Sequence, residues 1–407
     1  MKPDTVKVLH SSRRRVVAAG GALFASAFLP KLAGAASTSD PRLVTIILRG
    51  ALDGLSAVAP LGDPDYADLH GSIALSKSGD KAAFPLDGFF GLNPSMISFA
   101  NMYAKKQALV IHAVATGYRE RSHFDGQDVL ESGYSSPGRA ESGWLNRALE
   151  TLPRGAIART GLAVGAATPL VLRGSAPVTG WTPTQLAQAS DDTAMRLLDL
   201  YKSRDAALAD ALLQGLSVEA LVARELGERR GPSGNVIENM RQIARGTGKL
   251  MSADDGPRIA ALSFDGWDTH FAEGGATGRL AQLLGGLDGA FEEFQETLGP
   301  AWRDTVILAI TEFGRTVRIN GTTGTDHGTG TVAFLAGGAL NGGRVIADWP
   351  GLKDEQLYEK RDLKPTVDLR SVIKGILADH LGISMAALVE KVFPDSNNLH
   401  PMKNLIL

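Results

Sequence analysis

The chain reads as an α/β protein built on a doubly wound, mostly parallel sheet. Short unbroken apolar runs such as Val306–Ile310 suit strands buried on both faces. Helical patterns alternate with these runs, and polar clusters stand at their carboxyl ends, where open α/β sheets place their ligands. The 47 glycines among 407 residues also favour a loop-rich fold of this kind.

Leu43–Leu48 is the first buried strand, and the turn after it carries Arg49 and Asp53. Pro60–Tyr66 is a turn-rich excursion. Pro94–Ala104 is predicted helical and Ala108–Ala113 is the second strand. Its exit carries Arg119, Arg121, Ser122, His123 and Asp125, with Ser122 where an N-cap would open a helix over His123–Ser132. Trp144–Glu150 reads as another helix, and Ala163–Arg173 as an apolar, strand-like segment. From 184 to 250, leucines recur every three and four residues amid charges, which predicts a helical insertion or cap. It breaks at Gly231-Pro232-Ser233-Gly234, and no heptad is sustained.

Arg258–Phe264 is the next strand, opening on Asp265-Gly266-Trp267-Asp268-Thr269-His270. An amphipathic helix over Leu280–Leu298 leads to the Val306 strand, whose exit is Thr311-Glu312-Phe313-Gly314-Arg315. A Gly/Thr/Asn-rich loop then delivers Asp326-His327-Gly328 before the apolar run Val332–Ala336. Arg344–Ala347 is strand-like, and Asp368–Leu381 is the closing helix.

Composition sets bounds. The chain is 44% hydrophobic and 21% charged, an ordinary globular balance. No cysteine occurs, which excludes disulfides, thiolate ligands and a cysteine nucleophile. Residues 1–35 combine Ser12-Arg13-Arg14-Arg15-Val16-Val17, a short apolar run over Ala18–Pro30, and Ala33-Gly34-Ala35, the pattern of a twin-arginine signal peptide. That run is too short to span about 30 Å of hydrocarbon, so no membrane span is expected. The address implied is periplasmic or secreted, with residues 41–407 as the exported α/β domain. Removing residues 1–35 takes the formal charge from −2 to about −7, which argues against a nucleic-acid or anionic-membrane partner.

Four strand ends carry polar clusters: Arg49/Asp53, Ser122/His123/Asp125, Asp265/Asp268/His270, and Glu312/Arg315 with Asp326/His327. His123, His270 and His327 each have an aspartate within three residues. Imidazole with carboxylate is a ligand set for Zn²⁺ or Mn²⁺, and carboxylates alone for Mg²⁺ or Ca²⁺. Each histidine alone also suits a turn; the joint pattern favours metal. Gly246-Thr247-Gly248-Lys249 reads as a helix terminus, and His112 as a core residue. No Gly-x-Ser-x-Gly nucleophile motif occurs.

The twin-arginine start, LRGALDGL at 48–55, SHFDGQDVLESG at 122–133, SGWLNRAL at 142–149, FDGWDTH at 264–270 and TEFGRTVRINGTTGTDHGTG at 311–330 resemble a large family of exported bacterial proteins. It is catalogued as domain of unknown function number fifteen-oh-one, and is similar to a divergent branch of the alkaline phosphatase/sulfatase superfamily. The resemblance implies an alkaline phosphatase-like sheet with metal at its carboxyl edge. It implies Asp265 or Asp268, His270 and His327 as metal ligands, Glu312 at the acid of an Asp-His pair, and Ser122 as the hydroxyl nucleophile. Phe313 stands in place of the paired histidine, and Ala51 in place of the first-strand acid, so one ion fits better than two. Arg49, Arg121 or Arg315 would hold an anionic ester. The expectation is an exported metal-dependent hydrolase or transferase for a phosphate or sulfate ester, small or on an envelope or extracellular glycan. The rival is a catalytically degenerate binding or assembly component of the envelope.

Overall fold

The computed structural model describes residues 40–139, 141–152, 160–183, 197–198, 200–202, 205–226 and 235–407. Residues 1–35, expected to be a signal peptide, and much of the 184–250 segment lie outside the described residues. Within that segment the helices Ala206–Leu226 and Val236–Ser252 are described.

Twelve strands are described: β1 (Arg42–Arg49), β2 (Val58–Ala59), β3 (Phe84–Pro85), β4 (Gly91–Leu92), β5 (Ala108–Ala115), β6 (Gly161–Val164), β7 (Val178–Trp181), β8 (Ile259–Asp265), β9 (Thr305–Ile310), β10 (Thr331–Ala336), β11 (Arg344–Ile346) and β12 (Val367–Asp368). β2, β3 and β4 form a small antiparallel sheet. The other nine form one sheet in the order β11-β5-β10-β9-β1-β8-β6-β7, with β12 also on β5. The five strands expected from their apolar runs all lie in it. Pairing is parallel except at β10, which is antiparallel to both β5 and β9. The loop after β9 therefore returns to β10 at the same edge, without a crossover helix.

Side chains alternate across the sheet and each face has its own core. On β1, Val44, Ile46 and Leu48 join one core with Phe264, Phe291 and Phe294. Leu43 and Ile47 join the other with Trp144, Ile373 and Phe393. Each such side chain contributes about 1.5–3 kcal/mol through burial, which holds the strand ends in register. On the first face the helix Val236–Ser252 packs on the helix Arg279–Leu298. Gly246 and Gly248 are interior to that helix, where an added Cβ would stand 2.1 Å from Trp181 and 2.0 Å from Thr297. They serve close helix packing. Ala163–Arg173 is strand only to Val164 and continues as a loop with a 3₁₀ turn at Leu170–Leu172; β7 lacked a readable apolar run. No described helix is long and apolar enough to cross a membrane.

Candidate metal centre

Three parallel strand exits and one loop meet at a single edge. β8 ends at Asp265, Gly266 turns the chain at φ 102°, and the fully buried Trp267 anchors it, so that Asp268 and His270 emerge at the rim. β1 can lie against this segment because Gly50 has no side chain. Its φ is 121°, and a Cβ there would stand 2.4 Å from the Asp268 nitrogen. After β5, Arg121 adopts a left-handed backbone (φ 59°) and the helix His123–Ser132 begins. Beyond β9, the loop brings His327 into an isolated antiparallel bridge with Arg315.

The side chains converge. One donor atom each from His123, Asp268 and His327 lies within 4.8 Å of the other two. His327 Nε2 is 3.0 Å from His123 Nε2 and 2.9 Å from His270 Nε2. Asp268 Oδ1 is 2.9 Å from His270 Nε2 and 3.2 Å from His327 Nε2, while its Oδ2 is 3.4 Å from His123 Nε2. Ligands about 2.0–2.1 Å from one tetrahedral ion stand about 3.3–3.4 Å apart, so this spacing fits a shared ion with little adjustment.

The outer ring nitrogens decide what the inner ones carry. His123 Nδ1 is 2.9 Å from Glu312 Oε1, His327 Nδ1 is 3.0 Å from the Arg121 carbonyl, and His270 Nδ1 is 3.3 Å from Asp326 Oδ1. All three partners only accept, so each Nδ1 holds the hydrogen and each neutral ring turns a bare Nε2 lone pair inward. Lone pairs facing one another at 2.9–3.0 Å repel unless a cation, metal or proton, lies between them. Outer partners of this kind accompany metal-ligating histidines.

The acid–base tendencies differ between the rings: His123 favours the proton that can lie between facing nitrogens, and His327 the neutral form. The Glu312 hydrogen bond raises the His123 pKa above its usual value, overcoming burial. Burial, then the neighbouring His123 charge, lowers His327. Burial opposes ionisation of Asp268, but Arg315 holds its carboxyl below the usual range. Phe313 is buried beside two of the rings, its centroid 5.0 Å from His123 and 5.3 Å from His327. Its ring braces the imidazoles in place of a further ligand.

Other expected residues take different places. Glu312 is fully buried and its oxygens accept from Gly50 N, His123, Gln127 and Thr311, so it positions His123 from outside the inner donor set. Asp326 likewise stands behind His270. Asp265 is exposed at the end of β8, outside the converging group, because the Gly266 turn sends Asp268 inward instead. Arg315 is 1% exposed and spends its guanidinium on Asp268 Oδ1 at 2.7 Å and on Thr325, so it orients a carboxylate and does not hold an ester. Arg49 pairs with Glu131 and Gln127, and Arg121 with Glu359 and Asp362. Asp125 accepts from the Tyr118 hydroxyl at 3.3 Å. Ser122 sits between Arg121 and His123, and its backbone N donates to the Tyr118 hydroxyl at 3.3 Å.

Asp53 belongs to a second, buried cluster. It caps the short helix Gly54–Ala57 through Leu55 N, and its Oδ2 is 3.1 Å from His70 Nε2. His70 Nδ1 donates to the Val317 carbonyl at 2.9 Å. Glu273 lies close to Asp53 and accepts from Thr325 Oγ1 at 2.6 Å, which in turn accepts from Arg315. Burial opposes it, yet the His70 charge brings Asp53 down to about 2, while burial and Asp53 push Glu273 well up. A proton on Glu273 serves both acids. Neither His70 nor Glu273 was singled out from sequence, since each stands alone among turn residues.

A protein-family pattern matches residues 40–393. The chain belongs to that family, described as Protein of unknown function (DUF1501). No curated protein matches the sequence. Among solved structures, Ps i-CgsB in complex with k-i-k-neocarrahexaose is similar at 10% identity and TM-score 0.44, over 89% of this chain and 75% of that one. The zinc complex of the C-terminal periplasmic domain of EcEptC from Escherichia coli has 9% identity and TM-score 0.37, over 91% and 93%. A protein in the alkaline phosphatase superfamily from Vibrio parahaemolyticus has 10% identity and TM-score 0.32, over 73% and 60%. These are distant likenesses of chain path.

Proposed function

We propose that the protein is an exported, metal-dependent hydrolase of phosphate or sulfate esters, acting on an extracellular or envelope glycan. One observation carries the metal reading: three imidazole Nε2 atoms and the Asp268 carboxylate meet at the carboxyl edge of the sheet, with every Nδ1 held from behind. The ester class rests on the motif resemblance. A divalent ion in this set supplies Lewis-acid polarisation of an ester oxygen and a more acidic water. His123, Asp268, His270 and His327 would hold it, and Glu312, Asp326, Arg315 and the Arg121 carbonyl keep them aligned. Ser122 is the hydroxyl we assign to attack; its backbone N donates to the Tyr118 phenol at 3.3 Å, and that phenol reaches Asp125.

Metal analysis of the purified protein, with turnover of 4-nitrophenyl phosphate and 4-nitrophenyl sulfate, tests this. About one equivalent of Zn²⁺ or Mn²⁺ and turnover lost in Ser122→Ala with metal retained are expected. Absence of both metal and turnover ends the enzyme reading.

A binding role is favoured by one observation of its own. The three guanidinium groups expected to clamp an ester are committed to Asp268, Glu131 and Asp362. Bound metal without turnover of any ester would select that role.

A further inference from the structure

A cavity of about 440 Å³ lies beside the centre. Small-molecule sites commonly measure about 300–1,000 Å³. Three adjacent parallel strands end in its wall: β1 with Arg49, β8 with Ser263 and Asp265, and β6 with Val164 and Gly165. The helix His123–Ser132 supplies Phe124, Gln127, Asp128 and Glu131, one stripe at spacings of three and four. That helix also begins with His123. Gln127 accepts from Arg49 and donates to Glu312 Oε1 at 3.1 Å, the oxygen that holds the His123 ring. Cavity wall and histidine centre are thus one connected network.

The lining restricts the occupant. Arg49 is neutralised by Glu131, and the other charges in the lining are Arg173, Asp128 and Asp265, so there is no positive surplus to draw a free anion. An apolar ligand would leave two carboxylates and a guanidinium without water. Phe124, in contrast, is 89% exposed at the same wall. An aromatic face beside planar hydrogen-bonding forks suits a ring with an apolar face and a rim of hydroxyls.

From this we propose that the cavity binds a sugar ring of the glycan, stacked on Phe124 with its hydroxyls on Asp265, Arg173 and Gln127. The ring next to the ester would sit here while the ester reaches the histidines. The assignment rests on the hydrolase reading for its ester, but not for its sugar.

The test is retention of the purified protein on immobilised oligosaccharides, each presented neutral and sulfated, followed by calorimetry on the tightest. Phe124→Ala and Asp265→Ala should each weaken that binding at least tenfold, with metal content unchanged. Phe124 is exposed, so its replacement threatens the fold least. The proposal is overturned if no oligosaccharide is retained, if both variants bind within twofold of the wild type, or if adenosine monophosphate competes for the cavity. Sugar binding lost in Phe124→Ala, in a protein without metal or ester turnover, would support the cavity assignment while removing the hydrolase reading. Metal and turnover with sugar binding indifferent to both substitutions would do the reverse.

Discussion

Glu312 offers a test in which charge and packing separate. Its Oε1 accepts from Gly50 N at 2.9 Å, His123 Nδ1 at 2.9 Å and Gln127 Nε2 at 3.1 Å, and its Oε2 accepts from Thr311 Oγ1 at 2.8 Å. In Glu312→Gln the amide oxygen can keep the first three donors. The new NH₂ would face Thr311 Oγ1, whose hydroxyl can donate instead to the Leu48 carbonyl 2.7 Å away. The fold should tolerate this change, with stability within about 1 kcal/mol. The carboxylate charge behind His123 is lost, however, and removing such a partner costs about 10–100-fold in metal affinity. That corresponds to about 1.4–2.8 kcal/mol. Glu312→Ala would leave the buried Gly50 amide and the ring and amide hydrogens without acceptors, at about 1–3 kcal/mol for each one that water cannot reach. Urea unfolding and competition against a chelator of known affinity measure the two effects. Wild-type metal affinity in Glu312→Gln, or wild-type stability in Glu312→Ala, would refute the role given to this carboxylate. The pH dependence follows from the same group. Although burial opposes it, the His123 hydrogen bond lowers the Glu312 pKa below 4.5. Its stabilisation should be complete above its unfolded value and fade as pH falls through the lower folded one.

Replacing His270 or His327 by alanine should each reduce bound metal below one tenth of the wild-type content by elemental analysis, with an unchanged far-ultraviolet circular dichroism spectrum; retained metal in both would dismiss the shared centre. Glu273 is raised well above 4.5, first by burial and then by Asp53, so its protonated form is stabilising below the unfolded value and this benefit is lost as pH rises through the folded one. Glu273→Gln should therefore match the wild-type melting temperature near pH 5 and exceed it near pH 9, whereas Asp53→Asn should melt lower at pH 7 because it strips His70 of its counter-charge; the opposite order would discard the shared-proton account. Exchanging Arg13 and Arg14 together for lysine should leave precursor in the cytoplasm, as judged by fractionation, and normal export of that variant would remove the proposed address.

The sequence by itself determined the strands that build the sheet. Runs such as Val306–Ile310 have to be buried on both faces, and burial is a local property of the residues. It also marked His123, Asp268, His270 and His327, because polar residues between buried strands collect at strand ends. Tertiary structure alone decided their roles. Whether Asp265 or Asp268 turns inward depends on the Gly266 turn and on Gly50 opposite, which are contacts between β8 and β1. Arg315 was read as an ester clamp because a guanidinium binds any oxyanion. Only the loop that folds Thr325 over it, and Asp268 arriving from another strand, show that its donors are already used. The same holds for Asp53, His70 and Glu273, which lie far apart in the chain and acquire their shifted proton affinities from burial and from one another. Periodicity is written in neighbouring residues, whereas the state of a proton or the partner of a charge depends on distances that exist only once the sheet has closed.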